Sequence, residues 1–254
     1  MTQLGVSGAA LVTGAARRVG RTLALRLAAE GYDVAVHAHT SRQDAEAVCE
    51  DIRALGRKAV CVTADLSSTR DFTPLIAEAR AALGPLSVLV NNASMFRDDR
   101  VGSLSADLWD NHLNTNLRAP VLLAEAFAAQ APDGSLILNL IDQRVLKPNP
   151  QFFSYSLSKA GLWFATRTLA QALAPRIRVN GIGPGPTLAS VHQDPAEFAA
   201  EASTVPLGRG TTPDELAEAL LYFLRAPSVT GQMLCLDGGQ HLAWQTPDLA
   251  FGGG

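Results

Sequence analysis

Short apolar runs alternate along the chain with longer segments in which apolar residues recur at helical spacing. The strand-like runs are Ala10–Val12, Val34–Val36, Ala59–Thr63, Val88–Val90, Leu136–Leu140, Arg178–Ile182 and Met233–Leu236. The helical segments are Thr22–Ala29, Asp44–Leu55, Phe72–Leu83, Ala106–Gln130, the segment with Tyr155 and Lys159, and Pro213–Leu224. This alternation predicts an α/β fold in which helices cover both faces of a doubly wound parallel sheet.

The chain has the length of one such domain. Its 254 residues contain no repeat, low-complexity tract or linker that interrupts the alternation, so we expect a single domain over residues 1–254. Residues 251–254, which end in three glycines, are expected to form a frayed tail.

A glycine-containing connection follows the first strand. Gly14 permits a sharp turn, Gly20 lets the next helix pack closely on the sheet, and we expect everything from Gly14 to Gly20 to be a tight connection. A strand, a glycine turn, a helix and a second strand within about 30 residues form the unit that places a pyrophosphate on a helix N-terminus. The sequence therefore predicts a Rossmann-like dinucleotide site. The alternative is an ordinary strand–helix turn with two glycines.

The end of the second strand favours a phosphorylated dinucleotide. Sites for NAD normally carry an acidic residue about 20 residues after the glycine turn, where it bonds the ribose 2′-hydroxyl. Residues 37–42, HAHTSR, contain no acidic side chain, and their hydroxyl and basic groups suit a 2′-phosphate. We therefore predict NADPH/NADP as the cofactor, with contacts from His37, His39, Thr40 and Ser41. Either histidine taken alone is also typical of a surface loop.

Polar residues follow the later strands as well. The third to sixth strands are followed in turn by Asp65-Leu66, by Asn92-Ala93-Ser94 with Phe96, by Asp142, and by Pro184-Gly185-Pro186-Thr187. Ligands of such sheets bind at the carboxyl ends of the strands, so we expect these residues to line one cleft. There, Asp65 would bond an adenine amino group and Phe96 would offer a stacking surface. Each residue by itself is also typical of an ordinary turn.

Tyr155 and Lys159 are four residues apart on a predicted helix, so that the phenol and the ammonium group project from the same face. A lysine beside a phenol favours the phenolate, and we expect this to make Tyr155 a proton donor near neutral pH. Asp142, thirteen residues earlier, can aim a carboxyl group at the same point. The spacing alone is more often a partly buried helix face, and the glycine turn is what favours catalysis.

Composition argues against several other classes of protein. A net charge of −3 gives no basic face for nucleic acid or an anionic membrane, and no run approaches the roughly 18 apolar residues of a membrane span. The N-terminal segment lacks the charged start of a signal peptide. Cys49, Cys61 and Cys235 are widely spaced in apolar surroundings, which predicts buried thiols in a reducing cytoplasm and no metal site. We therefore expect a cytoplasmic location.

Together these motifs resemble the short-chain dehydrogenase/reductase superfamily over essentially the whole chain. The family's motifs occur here in the family's order: the glycine turn TGxxxxxG, the NNA segment, Asn116 on a helix, YxxxK, the PG loop and Asp237-Gly238-Gly239. The resemblance implies the same Rossmann-like fold and an NAD(P)-dependent oxidoreductase.

Within the superfamily the chain is more similar to the pteridine reductases. Arg18 stands where the glycine turn usually has its middle glycine, NNASMF supplies Ser94 and Phe96, and Asp142 replaces the usual active-site serine. The segment HAHTS is similar to the subgroup's His-rich stretch, although Thr40 stands at a position where the subgroup includes arginine. Residues 188–205, which should cover the substrate, have little distinctive polarity.

The resemblance implies a role for each catalytic residue. Tyr155 is the proton donor, Lys159 bonds the nicotinamide ribose and tunes Tyr155, and Asn116 supports the water and backbone network behind Lys159. Asp142 protonates or polarises a ring nitrogen of the substrate.

The resemblance also implies the binding residues. Phe96 and the nicotinamide sandwich a flat heterocycle, while Arg18 and Ser94 bond its polar edge and the cofactor phosphates. The implied cofactor contacts are Gly14, Arg17, Arg18, Val19, Gly20, His37, His39, Thr40, Ser41, Asp65, Leu66, Asn92, Ala93, Ser94, Lys159, Pro184, Gly185 and Thr187.

Three functions remain open, all with a small-molecule partner. The first is NADPH-dependent reduction of a C=N bond in a pterin-type substrate, namely a dihydropterin, dihydrofolate or an oxidised pterin. The second is reduction of a ketone, 3-ketoacyl or sugar carbonyl group, against which Asp142 in place of serine argues. The third is a protein that senses NADP(H) without turnover, against which the intact set of Tyr155, Lys159 and Asn116 argues.

The helix of Tyr155 carries more apolar surface than one contact with a sheet requires. Its large apolar residues, spread over several faces, are Leu162, Trp163, Phe164, Leu169 and Leu173. Members of the superfamily usually pair this helix and its predecessor across two-fold axes. We therefore predict a homotetramer or homodimer.

Overall fold

The computed structural model describes residues 8–189 and 194–244, and in these ranges it contains one parallel sheet of seven strands. The order across the sheet is β3-β2-β1-β4-β5-β6-β7. The strands are β1 (Ala9–Val12), β2 (Asp33–Ala38), β3 (Ala59–Thr63), β4 (Leu86–Asn91), β5 (Ser135–Leu140), β6 (Ile177–Pro184) and β7 (Met233–Leu236). The predicted doubly wound α/β fold is confirmed. The strand order reverses direction between β1 and β4, which opens a crevice at their carboxyl ends.

Helices connect the strands and cover both faces of the sheet. They are α1 (Arg18–Ala29), α2 (Arg42–Ala54), α3 (Thr73–Leu83), α4 (Ala106–Leu113), α5 (Ala119–Ala128), α6 (Phe153–Leu173), α7 (Pro195–Ser203) and α8 (Pro213–Arg225). The predicted segment Ala106–Gln130 is divided, because a π-helical turn at Asn114–Arg118 separates α4 from α5. Pro120 has no N–H to donate to the carbonyl of Asn116, which favours a wider turn there.

The core consists of two apolar layers, one on each face of the sheet. Alternate residues of β1 divide between them, with Ala10 and Val12 in one layer and Ala9 and Leu11 in the other. The first layer is covered by α1, α2 and α8, and the second by α3, α5 and α6. The burial of every central strand on both faces explains why these strands are continuous apolar runs.

The start of α1 and the presence of α7 differ from the sequence-based prediction. Helix α1 begins at Arg18, so the expectation that the tight connection extends to Gly20 is wrong. A Cβ atom on Gly20 would lie 2.2 Å from the Gly14 carbonyl oxygen, so this glycine lets the first helical turn pack directly on the glycine turn. Within residues 188–205, α7 is an additional helix, and the side chain of Asp194 caps it by accepting a hydrogen bond from Ala196 N.

The remaining sequence-based predictions concern the C-terminal tail, the cysteines, membrane spans and the location of the protein. Residues 251–254 and residues 190–193 lie outside the described residues. Cys49 and Cys61 are buried, as expected, whereas Cys235 is only partly buried because β7 is the edge strand. None of the helices within the described ranges is long and apolar enough to cross a membrane. The extent of the domain over residues 1–254 and the cytoplasmic location stay predictions.

Candidate active site

Three cavities with shared lining residues follow the carboxyl edge of the sheet. Cavity A has a volume of about 290 Å³ and is lined by Gly14, His37, His39, Asp65, Leu66, Ser67, Ala93, Ser94, Met95 and Thr115. Cavity B, about 160 Å³, is lined by Val19, Asn92, Ser94, Leu140, Ile141, Asp142, Tyr155, Lys159, Pro184, Gly185, Thr187 and Leu216. Cavity C, about 530 Å³, shares Val19, Asp142, Tyr155, Gly185 and Thr187 with cavity B. Most of the predicted binding residues therefore meet in one cleft.

The glycine turn is attached to the loop after β4 by hydrogen bonds. Thr13 Oγ1 accepts from the backbone N–H groups of Asn92 and Ala93, each at 3.0 Å. Asn92 Nδ2 in turn donates to the carbonyl oxygens of Thr13 at 2.8 Å and of Gly14 at 3.2 Å. Gly14 has a φ of +62°, and a Cβ atom there would lie 3.0 Å from Ala93 Cα. Thr13 was not predicted as a site residue, although it precedes Gly14 in the motif.

The side chain of His37 connects this turn to the segment after β3 by hydrogen bonds. Its Nδ1 accepts from Gly14 N at 3.2 Å and its Nε2 lies 3.1 Å from the Ala64 carbonyl oxygen, so the hydrogen is assigned to Nε2. Burial lowers the pKa of His37 to about 4. The expectation that His37 offers a basic group to the 2′-phosphate is therefore wrong. The ring is neutral near pH 7, and both of its nitrogens bond backbone groups.

Cavity A also contains His39, Asp65 and Leu66, as predicted from their positions after β2 and β3. Asp65 accepts hydrogen bonds from Ser67 N, Ser67 Oγ and Ser68 Oγ, and these bonds lower the pKa of its carboxyl group to about 2. His39 Nε2 lies 4.0 Å from Asp65 Oδ2. Asp65 is thus a fixed acceptor at the wall of this cavity.

Four predicted cofactor residues, Gly20, Arg17, Thr40 and Ser41, do not line the three cavities. The Arg17 guanidinium group forms an exposed ion pair with Asp44 in the first turn of α2. Ser41 is the residue before α2 and its side chain makes no capping bond. The contact of Thr40 and Ser41 with a 2′-phosphate, and that of Arg17 with the cofactor, stay predictions.

The N-terminus of α1 fits a pyrophosphate group. The Arg17 side chain at the N-cap makes no capping bond, and the first turn of α1 contains no acidic residue. The N–H groups of this turn, together with the helix dipole, therefore suit an anion. Arg18 has a φ of +55° at the position where the superfamily usually has glycine, a conformation that is strained for a side chain with a Cβ atom. Its Nη2 donates to the Leu188 carbonyl oxygen across the mouth of cavity C.

The structure brings Tyr155 and Asp142 into direct contact at the junction of cavities B and C. The phenol of Tyr155 donates to Asp142 Oδ2 at 2.7 Å. Arg144 donates to the same carboxyl group from its backbone N to Oδ1 at 2.8 Å and from Nη1 to Oδ2 at 3.3 Å. In each of these bonds Asp142 accepts.

Lys159 lies behind Tyr155 and is buried. Its Nζ donates to the Leu140 carbonyl oxygen at 2.8 Å and lies 5.7 Å from the centre of the Tyr155 ring. Burial lowers the pKa of Lys159 to about 8, whereas burial and the neighbouring Asp142 raise the pKa of Tyr155 well above its usual value. The expectation that Lys159 favours the phenolate is therefore wrong for this arrangement, since desolvation and the carboxyl group dominate.

Asn116 lies in the π-helical turn and holds the segment after β4. Its Oδ1 accepts from Met95 N at 2.8 Å and from Ser94 Oγ at 3.2 Å. Its Nδ2 donates to the Met95 carbonyl oxygen at 2.9 Å and to Ser158 Oγ at 3.1 Å. Ser158 is the residue next to Lys159. The predicted support for a water network behind Lys159 stays a prediction.

Phe96 lies in the wall of cavity C, as predicted, but one of its faces is occupied. It stacks on Phe152 with ring centres 4.2 Å apart and meets Tyr155 edge-on at 4.7 Å. The Arg144 guanidinium group lies 5.5 Å from the centre of the Phe96 ring and 5.3 Å from that of Phe152. Arg144 and Phe152 were not predicted, because neither belongs to a motif. The position of Arg144 two residues after Asp142 was the available signal.

The remaining wall of cavity C comes from the loops after β6 and from α7. A Cβ atom on Gly185 would lie 2.7 Å from Asp237 Cα, so this glycine lets the PG loop contact the Asp237-Gly238-Gly239 motif. Thr187 Oγ1 donates to the Gly185 carbonyl oxygen at 3.0 Å. Helix α7 contributes Glu197, Phe198 and Glu201. The expectation that residues 188–205 lack distinctive polarity is therefore wrong, because α7 brings two glutamates to the cavity.

Within residues 8–189 and 194–244 no group of three or more His, Cys, Asp or Glu side chains could hold a metal ion.

Comparison with known proteins identifies the relatives of this chain. Residues 14–241 match the family model described as enoyl-(acyl carrier protein) reductase. The 3-oxoacyl-[acyl-carrier-protein] reductase FabG of Staphylococcus aureus is 32% identical over 240 residues, which are 92% of this chain and 98% of the relative.

Two crystal structures are more similar in sequence. They are FolM alternative dihydrofolate reductase 1 from Brucella canis and from Brucella suis, each in complex with NADP. Their identities are 48% and 49%, their TM-scores are 0.93 and 0.92, and each match covers 98% of this chain. The matches cover 100% and 99% of the two solved chains. The chain therefore belongs to the short-chain dehydrogenase/reductase superfamily of oxidoreductases, as its motifs predict.

Proposed function

We propose that this protein uses NADPH to reduce a C=N bond of a pterin-type substrate, namely a dihydropterin, dihydrofolate or an oxidised pterin. The observation that carries the proposal is the Asp142 carboxyl group 2.7 Å from the Tyr155 phenol, where the superfamily usually has a serine hydroxyl. Reduction of C=N requires a hydride at carbon and a proton at nitrogen. A carboxyl group beside a phenol suits delivery of that proton, whereas a serine hydroxyl suits a ketone oxygen.

The cofactor is NADPH/NADP, which supplies the hydride when it is bound. The N-terminus of α1 would hold the pyrophosphate, and cavity A, with Asp65 as a fixed acceptor, would hold the adenosine. Lys159 and Asn92 line cavity B together with the catalytic pair and would hold the nicotinamide ribose. Both FolM relatives from Brucella bind NADP in their crystals.

The Tyr155–Asp142 pair holds and delivers the proton. Burial keeps the phenol protonated near neutral pH, and its hydrogen points at Asp142. Arg144 donates to both oxygens of the carboxyl group and holds it in place. A substrate nitrogen at the junction of cavities B and C is thus within reach of both groups, and the open side of cavity C lets solvent restore the proton.

Cavity C suits a flat, polar heterocycle. The ring of Phe96 is 40% exposed and forms an aromatic wall next to Tyr155. Donors from Arg18 and Arg144 and acceptors from Glu197 lie around the same space. This mixture matches a ring edge with both amino and oxo groups better than it matches an aliphatic acyl chain.

The second candidate function is reduction of a carbonyl group, and it has support from the comparisons. The similarity to FabG and the description of the family model both favour reduction of a 3-ketoacyl group, and other ketones or sugars belong to the same class. The carboxyl group of Asp142 at the serine position is the feature against it. Sensing of NADP(H) without turnover is disfavoured by the contact between Tyr155 and Asp142 and by the buried Lys159 behind them.

A substrate panel followed by NADPH absorbance tests the proposal. We expect dihydropterins, dihydrofolate or oxidised pterins to be reduced with a higher kcat/KM than 3-ketoacyl thioesters, simple ketones or sugars. Reduction of the carbonyl compounds alone would establish the second function instead. Binding of NADPH without turnover of any compound would favour the sensing protein.

We further propose that the protein is a homodimer or homotetramer. Helix α6 leaves Phe164 67% exposed and Leu157 42% exposed, which is apolar surface typical of a contact between subunits. Light scattering at micromolar concentration is the test, and a monomer there would contradict this part of the proposal.

A further inference from the structure

A chain of three buried polar side chains lies behind the substrate cavity and has no role in the chemistry above. His112 of α4 and Ser154 of α6 are fully buried, and Asp99, in the segment before α4, is 5% exposed. His112 Nδ1 lies 2.6 Å from Ser154 Oγ, and Ser154 Oγ donates to Asp99 Oδ2 in a short hydrogen bond. We name His112, Ser154 and Asp99 the clamp.

The direction of the hydrogen bonds in the clamp follows from its partners. His112 Nε2 accepts from Arg97 N at 3.3 Å, so Nδ1 carries the hydrogen and donates to Ser154 Oγ. The serine then gives its own hydrogen to the carboxylate. The residue types are those of a nucleophilic triad, but here the hydroxyl donates to the acid and is closed to solvent. Ser154 is therefore not placed to act as a nucleophile, and the three side chains connect α4, α6 and the segment before α4.

One end of the clamp holds the segment that carries Phe96. The residue after Phe96 is held by His112 through Arg97 N. The residue before Phe96 is held by Asn116, which bonds both the N–H and the carbonyl oxygen of Met95. The side chain of Phe96 is 40% exposed, and these contacts hold its backbone on both sides while Phe152 and Tyr155 pack against its ring.

The other end of the clamp holds the first turn of the helix that carries Tyr155. Asp99 Oδ1 accepts from Ser154 N at 3.0 Å, and the Asp99 carbonyl oxygen accepts from Phe153 N at 3.0 Å. Helix α6 has no side-chain cap at Phe152, whose φ is +52°, so the clamp supplies partners for N–H groups that the helix leaves open. Tyr155 follows Ser154 directly, and its ring meets the His112 ring edge-on at 6.1 Å.

We propose that His112 and Asp99 are positioning residues that act through Ser154 to hold Phe96 against Tyr155. The heterocycle that binds to Phe96 is thereby placed within reach of the proton donor. The inference rests on the proposed function, because it assigns Phe96 and Tyr155 to the same substrate. It adds that the geometry of the pocket depends on a buried polar connection between α4 and α6.

Two variants of His112 separate positioning from simple filling of space. His112→Leu removes both hydrogen bonds, and we expect KM for the pterin to rise by at most as much as in Phe96→Ala, about twofold to tenfold, while the dissociation constant of NADPH stays unchanged. His112→Gln, which has one donor and one acceptor, should recover most of that loss. Asp110→Asn, an exposed change on the same helix, is the matched control and should leave KM unchanged. Equal KM values for all three variants and the unaltered protein would overturn the proposal.

A double-mutant cycle with Phe96→Ala provides a readout that general destabilisation would not change. If His112 acts through Phe96, then His112→Leu in the Phe96→Ala background should change KM by less than about twofold. Effects on KM that multiply would show that His112 acts independently of Phe96 and would overturn the proposal. Should His112→Leu fail to fold, Ser154→Ala breaks the same connection without a change in bulk and enters the same cycle.

Hydrogen exchange distinguishes failure of the clamp from failure of the proposed function. In His112→Leu, but not in Asp110→Asn, peptides that cover residues 95–99 and 152–155 should lose protection. This measurement requires no substrate. An unaltered protein that reduces no pterin would refute the proposed function, and unchanged protection in His112→Leu would refute the clamp.

Discussion

The two sides of the cleft hold their ligands by different means. On the cofactor side, between β1 and β3, backbone conformation and neutral or fixed groups form the site: Gly14 and Gly20 allow close approach, His37 is buried and neutral, and Asp65 is held by its neighbours. On the substrate side, charged and aromatic side chains from distant segments meet, as Arg144 does with Asp142 and with Phe96.

The difference explains why the sequence is more informative about the cofactor than about the substrate. A backbone cradle requires particular residues at fixed spacing along one segment, so it leaves a motif such as TGxxxxxG. A pocket built from the ends of several elements requires only that side chains meet in space. Each of the following predictions tests one side of this comparison.

The largest effect is expected on the substrate side, at the catalytic pair. Asp142→Asn and Tyr155→Phe should each lower kcat for pterin reduction by about 10²–10⁴-fold, because each removes a group that handles the proton. The double variant should be much less than multiplicatively worse, since both groups serve one transfer. Steady-state kinetics check this, with NADPH affinity as the control for an intact fold. Effects that multiply would contradict a shared role.

The next effect concerns acid stability on the cofactor side. His37 has a pKa of about 4 in the folded chain, below its unfolded value, so the unfolded chain binds the proton more readily between these two pH values. The neutral ring therefore contributes fully to the free energy of unfolding at pH values above 6.5. About 3 kcal/mol of that free energy should be lost as the pH falls from 6.5 to about 4.

Denaturant unfolding at pH 7 and pH 4.5 measures this loss. In His37→Gln, which retains a donor and an acceptor but does not titrate, the drop in unfolding free energy between the two pH values should be smaller. His39→Gln, at an exposed position in the same segment, is the matched control. An identical pH dependence in His37→Gln and in the unaltered protein would contradict the neutral, buried role of His37.

Selectivity for the cofactor should be a smaller effect. Charge-assisted hydrogen bonds to a phosphate contribute about 1.5–3 kcal/mol each, so one or two bonds from Thr40, Ser41 and Arg42 imply a preference for NADPH over NADH of about tenfold or more. The ratio of kcat/KM for the two cofactors measures it. Equal efficiency with both would show that no group binds the 2′-phosphate.

The smallest effect is expected at the aromatic wall. Phe96→Ala should raise KM for the pterin by about twofold to tenfold and change kcat less, since an aromatic stack contributes roughly 0.5–1.5 kcal/mol. Phe96→Tyr, which keeps the ring, is the control and should leave KM near that of the unaltered protein. A fall in kcat with an unchanged KM would place Phe96 outside the substrate contact.

Much of the fold follows from the sequence because the buried parallel strands are continuous apolar runs. The predicted strands end within two residues of the observed ones, and Ala59–Thr63 and Met233–Leu236 agree at both ends. The start of α1 was misplaced because its first turn contains Gly20, a poor helix former that is used here for close packing.

The candidate site could be predicted only in part. The contact between Tyr155 and Asp142 was expected from motif order, but the raised pKa of Tyr155 depends on burial, which residue spacing does not encode. Arg144 and Phe152 were missed because they act by contacts with Asp142 and Phe96 from other segments. The glutamates of α7 reach the cavity through a helix that the sequence analysis does not predict within residues 188–205.

The most direct test of the central claim is the kcat/KM for NADPH-dependent reduction of a dihydropterin and of a 3-ketoacyl thioester, compared between the unaltered protein and Asp142→Ser. This substitution restores the hydroxyl that the superfamily usually has at this position and removes the carboxyl group beside Tyr155. We expect the unaltered protein to reduce the dihydropterin and the variant to lose about 10²–10⁴-fold of that activity. Pterin reduction that survives Asp142→Ser unchanged, or an unaltered protein that reduces only the thioester, would contradict the account.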